Sequence, residues 1–217
     1  MPVKAFDQAK TRLRATLTAG QCSALARNMA ADVVIALQDA KLLHGISLLG
    51  SEPVVAEFAR EMSCEFLAED PESGLSANLD TGAGKLQREQ VDRLLVVPGD
   101  LPMLHAADID QLLSEHSGGL SVCPASRDGG TNALVMSPPG AIKFCFGQHS
   151  ARRHQEAAHA VNLPCRNSSH TAFSRDIDTP EDLIWFCQHS PPGLTSDYLT
   201  QAGICEKLLG SGAVAVA

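Results

Sequence analysis

The stretch "RDIDTPEDL", Arg175–Leu183, holds four carboxylates in nine residues. Asp176 and Asp178 flank a single isoleucine. In extended backbone, residues two apart face the same side, so both acids can reach one ion while Ile177 packs inward. Glu181 and Asp182 read instead as the first turn of a helix, where negative charge complements the dipole, with Thr179 as its cap and Pro180 at its first position. A third acid, Asp100, stands just beyond the apolar run Leu94–Val97 in "DRLLVVPGDLP". A turn aspartate bonded to local amides would explain Asp100 equally well on its own. Three carboxylates gathered at one sheet edge would suit Mg²⁺, which takes oxygen ligands and leaves positions for substrate phosphates. The chemistry they would serve is phosphoryl or nucleotidyl transfer.

Other segments could receive phosphate. In "SRDGGTNALVM" the Gly129–Gly130 pair lets backbone approach a ligand, and its amides with Thr131 could hold an anion; a plain hairpin turn explains the same glycines. In "FCFGQHSARRH", Gly147 and Ser150 precede a helix whose first amides form an anion site, or Ser150 merely caps it. Near the start, Lys4, Lys10, Arg12 and Arg14 are cations in an otherwise acidic chain. A solvated charged face is the simpler reading for Lys10 to Arg14, and the preferred one for Arg14. The eight histidines show no metal-ligand spacing. His149, His154 and Arg152–Arg153 could touch phosphate, but a polar helix face explains most of them.

The elements that must position these residues alternate. Helical spacing marks Ala19–Ala40, with Leu25, Met29, Val33, Ile35 and Leu37 as its apolar face, and helices are predicted over 53–62, 75–88, 106–115, 150–160 and 179–188. Strands are predicted within 44–51, 64–70, 94–97, 118–126, 131–139 and 161–168, and the segments 118–126 and 131–139 are joined by the turn-rich "RDGG". This alternation implies an open, largely parallel sheet with helices on both faces, in which ligands bind at the carboxyl ends of strands. One domain over residues 1–190 and a partly ordered C-terminal extension over 191–217 are expected.

Composition narrows the class. The 217 residues carry a net charge of −8, which argues against a nucleic-acid binder but not against a nucleotide substrate, since a metal can stand between acids and phosphates. No apolar run approaches a membrane span, and "MPVKAFDQAK" lacks the apolar centre of a signal peptide. The seven scattered cysteines form no C-x-x-C pair and read as reduced thiols of a cytoplasmic protein.

Taken in order, "PVK…AKTRL", "VVPGDLP", "DGGTNAL", "FG..S" and "DIDTPEDL" resemble the 2-phospho-L-lactate guanylyltransferase family of coenzyme F(420) biosynthesis, from Pro2 to about Phe186. The resemblance implies a three-layer, Rossmann-like nucleotidyltransferase fold. It implies transfer of GMP from GTP to 2-phospho-L-lactate, phosphoenolpyruvate or 3-phospho-D-glycerate, with release of pyrophosphate. It places Mg²⁺ on Asp100, Asp176 and Asp178, and the acceptor's phosphate on Thr131, Gly147 and Ser150. Lys4 is the expected catalytic cation near the nucleotide phosphates. Lys10, Arg12, Pro98 and Gly99 are assigned to the nucleotide with it, and Gly74, Ser76 and Asn78 to a loop near base or ribose. GTP and a small phosphorylated acid are the expected partners, without nucleic acid or membrane, and a homodimer is admitted.

Two departures stand out. Family members begin with several apolar residues before "PVK", whereas here only Met1 precedes Pro2, so the first strand is expected as a stub. The family's "FGPGS" reads "FGQHS" here. The alternatives are another nucleotidyltransferase of molybdopterin or sugar-phosphate type, and a non-catalytic sensor of nucleotide or phosphorylated acid.

Overall fold

The computed structural model describes residues 1–51, 53–189 and 192–211. Two β ladders form its centre. β1 (Pro2–Val3), β2 (Ser47–Gly50) and β3 (Glu65–Ala68) pair in parallel in that order. β4 (Leu94–Val96), β5 (Gly119–Pro124), β6 (Thr131–Ser137) and β7 (Cys165–Asn167) follow the order β4-β6-β5-β7. The parallel pairing expected from the alternation holds for β1-β2-β3 and for β5 with β7. It fails at β6, which runs antiparallel to both β4 and β5. The reason is chain length: only residues 125–130 separate β5 from β6, and a parallel neighbour needs a crossover of a dozen or more residues.

The helices are α1 (Ala19–Asp39), α2 (Val54–Glu61), α3 (Leu75–Arg88), α4 (Ala106–Glu115), α5 (Ser150–Ala160), α6 (Pro180–His189), α7 (Leu194–Gln201) and α8 (Ile204–Ser211). Layering follows the strand alternation of β6. Leu134 and Met136 face Leu79 and Ala83 of α3 and Ala151 and Ala158 of α5. Ala133 and Val135 face Val33 and Leu37 of α1 and Leu112 of α4. Helix, sheet and helix thus make three layers.

Helix α1 is the spine. Thr18 and Gln21 close a capping box at its start, with Thr18 Oγ1 accepting from Gln21 N at 3.2 Å and Gln21 Oε1 accepting from Thr18 N at 2.9 Å, an arrangement that satisfies amides the helix itself leaves open. Leu25, Met29, Val33 and Leu37, four apart, are all buried, whereas Ile35, which the apolar spacing also includes, faces outward. Beyond residue 191, where an extension was expected, Leu199 of α7 and Ile204 of α8 are buried against Leu13, Leu25 and Phe186. The remainder of that extension, 212–217, lies outside the described residues.

The cysteine reading needs a correction. Cys187 of α6 and Cys205 of α8 form a disulfide. Their 18-residue separation and different helices give no motif to announce it, and only the packing of α8 on α6 brings them together. Cys22, Cys64, Cys123, Cys145 and Cys165 are free thiols.

The first strand is the expected stub. β1 pairs with β2 alone, and Met1 extends it by one bond from Leu49 N at 2.9 Å. Between the two ladders, behind the strand starts, lies an apolar cleft of about 870 Å³ lined by Leu37, Leu43, Ile46, Leu49, Leu79 and Leu95 among others. No helix among the described residues is long and apolar enough to cross a membrane.

Candidate active site

β4 delivers Asp100. Val96 and Val97 are buried, and the chain then turns at Pro98-Gly99. A side chain at Gly99 would stand 3.3 Å from Ala30 Cβ, so glycine lets the strand end pass close over α1. Pro98 and Gly99 therefore serve the placement of Asp100. Opposite runs Asp176-Ile177-Asp178. Ile177 is buried and its N–H donates to the Asp100 carbonyl at 3.2 Å, which pins this extended segment beside the β4 end. One carboxylate oxygen from each of Asp100, Asp176 and Asp178 lies within 4.8 Å of the others. The sequence-predicted triad is thus assembled.

Lys10 sits between these acids. Its Nζ donates to Asp100 Oδ2 at 2.8 Å and to Asp178 Oδ1 at 2.7 Å, with only 7% of the side chain exposed. Its backbone adopts the left-handed region, φ 53°, between 3-10 turns at Phe6–Gln8 and Thr11–Ala15. Burial works against the ammonium, but Asp100 and Asp178 outweigh it and raise its pKa. Arg12 approaches Asp178 to 3.7 Å from solvent. Burial alone would raise the Asp178 carboxyl; Lys10, then Arg12 and Arg127, reverse this and hold it below the usual range. Asp176 receives a long contact from Asn132 Nδ2, 3.5 Å, and one from its own backbone N–H, and burial followed by the charge of Asp100 pushes its pKa up. Lys4 is exposed and forms no ion pair with the acids among the described residues.

The donor set fits a hard divalent cation. All three groups offer oxygen, and Asp100 Oδ1 is buried without a hydrogen-bond partner, a costly arrangement for a carboxylate unless something else takes it. Lys10 offsets one of the three carboxylates, which leaves charge for a doubly positive ion.

Glu181 and Asp182 behave as the helix start predicted. Asp182 Oδ2 accepts from Asp178 N at 3.1 Å and Thr179 N at 2.8 Å, and it also holds Arg127. Arg127, which sequence reasoning passed over within the turn-rich loop, thereby faces the acids.

The phosphate segments are organised differently from expectation. The first amides of α5 are already used: Ser150 N bonds Gly147 O and Ala151 N bonds Gly129 O, both at 3.1 Å. Gly130 N bonds Asp128 Oδ1 at 2.8 Å. Two of the helix amides that the sequence suggested as free, those of Ser150 and Ala151, are therefore spent on the loop. Gly147 has φ +119°, a conformation that needs glycine, and it shapes the turn before α5. Side-chain hydroxyls remain. Thr131 Oγ1 and Ser150 Oγ lie 2.9 Å apart, and Thr131 Oγ1 is 3.1 Å from His154 Nδ1.

On α3, Gly74 precedes the first residue. Asn78 is buried and is spent on its own loop, donating to the carbonyls of Asp70 and Ser73 at 3.0 Å. Ser76 Oγ accepts from Phe146 N at 3.0 Å, which ties α3 to the loop before Gly147.

The fold is that of the nucleotidyltransferases. A protein described as a nucleotide-diphospho-sugar transferase from Desulfovibrio desulfuricans superposes with a TM-score of 0.79 at 16% identity, covering 97% of this chain and 95% of that one. A cytidylyltransferase from Leptospira borgpetersenii gives 0.58 at 11% identity, covering 96% and 93%. The sequence resolves the family: residues 1–214 match Guanylyl transferase CofC like, and the chain belongs to that family. It is 35% identical over 198 residues to a phosphoenolpyruvate guanylyltransferase of Sphaerobacter thermophilus, covering 91% of this chain and 95% of that one. It is 30% identical over 199 residues to a 2-phospho-L-lactate guanylyltransferase of Methanothermobacter thermautotrophicus, covering 92% and 87%.

Proposed function

We propose that this protein transfers GMP from GTP to a small phosphorylated carboxylic acid, releasing pyrophosphate, in the biosynthesis of coenzyme F(420). The observation that carries the proposal is the Asp100–Asp176–Asp178 cluster, with one oxygen of Asp100 buried and unpartnered, in a chain of the CofC-like family. Relatives named for phosphoenolpyruvate and for 2-phospho-L-lactate supply the acceptor class.

Asp100, Asp176 and Asp178 would hold Mg²⁺. When bound, the ion neutralises phosphoryl oxygens and fixes their orientation. The chain's own groups supply the rest. Lys10 holds Asp100 and Asp178 close, and Arg12 and Arg127 add positive charge at the same edge. Lys4, exposed at the end of β1, is free to meet the departing pyrophosphate. An acceptor phosphate is already anionic at neutral pH, so positioning and charge neutralisation suffice and no general base is required.

The test is GTP-dependent pyrophosphate release with phosphoenolpyruvate, 2-phospho-L-lactate and 3-phospho-D-glycerate side by side, each with and without Mg²⁺. Release with one or more acids that vanishes on chelation is the expected result. GTP turnover with none of them would overturn the proposal.

A further inference from the structure

The Thr131–Ser150 pair is backed by a residue that its polar helix disguises. His154 is fully buried in the second turn of α5, edge-on to Phe144 and Phe146. Its Nε2 lies 3.0 Å from Cys145 N and its Nδ1 lies 3.1 Å from Thr131 Oγ1. A backbone N–H can only donate, so Nε2 accepts and the ring proton of the neutral imidazole sits on Nδ1, on the side of Thr131 Oγ1 and the Ser150 carbonyl. Burial, followed by the charge of Arg153, pulls this histidine down to about 4, so one tautomer prevails at neutral pH.

Ser150 has no exposed surface, and Thr131 Oγ1 lies 2.9 Å from its hydroxyl. A hydroxyl oxygen has two acceptor positions and one proton. With His154 Nδ1–H filling one acceptor position, the Thr131 proton is left to turn toward Ser150 Oγ or outward. Thr131 is the member that keeps some exposure, 8%. It opens β6 at the edge where its neighbour Asn132 faces Asp176.

We propose that His154 is a positioning residue for the acceptor's phosphate: its Nδ1–H donates to the Thr131 hydroxyl, so that the hydroxyl's own proton is available to a phosphomonoester oxygen. The inference rests on the transfer reading above and adds the group that orients the Thr131 hydroxyl. A phosphate dianion only accepts, so a hydroxyl held from behind by the imidazole N–H presents the proton it needs.

The experiment measures binding of phosphoenolpyruvate and of inorganic phosphate by calorimetry, and the separate KM values for acid and GTP. It compares the wild type with His154→Leu, His154→Gln and Thr131→Val. His154→Leu is expected to weaken both probes and raise the acid KM by roughly 10-fold or more, the scale of one hydrogen bond to a charged group, with the GTP KM unchanged. His154→Gln, whose amide carries a donor and an acceptor, is expected to restore binding to within about 3-fold of wild type. Should His154→Leu fail to fold, Thr131→Val carries the test, since it keeps the ring and the shape and is expected to lose the same binding. Unchanged phosphate affinity in a folded Thr131→Val or His154→Leu protein overturns the inference, as does a parallel rise of both KM values. His154-dependent phosphate binding without pyrophosphate release from any acid would sink the transfer reading alone. Pyrophosphate release by a wild type that binds neither probe would sink the positioning role alone.

Discussion

The acidic edge and the hydroxyl pocket lie on one sheet border and hold their groups in opposite ways. At the edge, Asp100 and Asp178 keep 27% and 35% of their side chains in water and are gathered by the charge of Lys10. In the pocket, Ser150 and His154 have no exposed surface, carry no charge, and are held by neutral hydrogen bonds. The edge is built from attraction between ions, which solvent and a metal can adjust. The pocket is built from a neutral network, which is worth most when every member is satisfied. A site that must accept a cation and release pyrophosphate benefits from the first kind; one that must recognise a fixed anion benefits from the second.

The contrast can be broken most severely at Asp178. Asp178→Asn is expected to lower Mg²⁺-dependent pyrophosphate release by about 1000-fold, the scale of losing a metal's charge stabilisation, while phosphate binding at Thr131 persists. Lys10→Met comes next. Removing the buried partner leaves two acids facing each other, and urea denaturation in metal-free buffer is expected to show a loss of about 3 kcal/mol.

Acid separates the two regions without mutation. His154 has a folded pKa of about 4, below its ordinary 6.5, so the unfolded chain takes the proton first. Stability present above pH 6.5 is lost as pH falls toward 4, by about 3 kcal/mol, and His154→Gln is expected to flatten that slope. At the edge, Asp178 and Lys10 respond outside this window. The lowered pKa of Asp178 contributes stability above its ordinary 3.8, lost as pH falls through the lower folded value. Asp176, with a raised pKa, instead gains stability as pH falls through its folded value toward 3.8, because protonation favours its folded form. The raised pKa of Lys10 contributes fully below 10.5 and is lost as pH climbs through the higher folded value. A melting-temperature profile from pH 3 to 11 reads both. The smallest effect is expected at Arg12, whose side chain is 68% exposed: Arg12→Ala should change stability by less than about 1 kcal/mol, an effect that 0.5 M salt should erase.

The acids were legible because their signals are local. An alternating Asp-Ile-Asp and a strand-end Asp need only the direction of the backbone to be placed. The helices α1 to α6 and the strands from β2 on were legible for the same reason, down to Leu75–Arg88; α7 and α8, within the expected partly ordered extension, were not. The antiparallel course of β6 could have been read from the short 125–130 connection. His154 could have been found too: Ser150, Ala151, His154 and Ala158 form a buried stripe on α5, and a histidine on such a stripe is an inward one. Lys10 could not. Its reach depends on a left-handed backbone and on a sequence separation of 90 from Asp100, a relation no local pattern encodes. The Cys187–Cys205 bridge is equally a product of helix packing.

The two ladders are parted by the apolar cleft at one end. Lys10 belongs to the chain that follows β1, whereas Asp100 follows β4 and Asp178 lies beside it. The two hydrogen bonds of one ammonium therefore act as a rivet across the seam of the sheet. Strain on the joint and charge in the site are carried by the same three side chains, so at this seam the protein's mechanics and its chemistry are one variable.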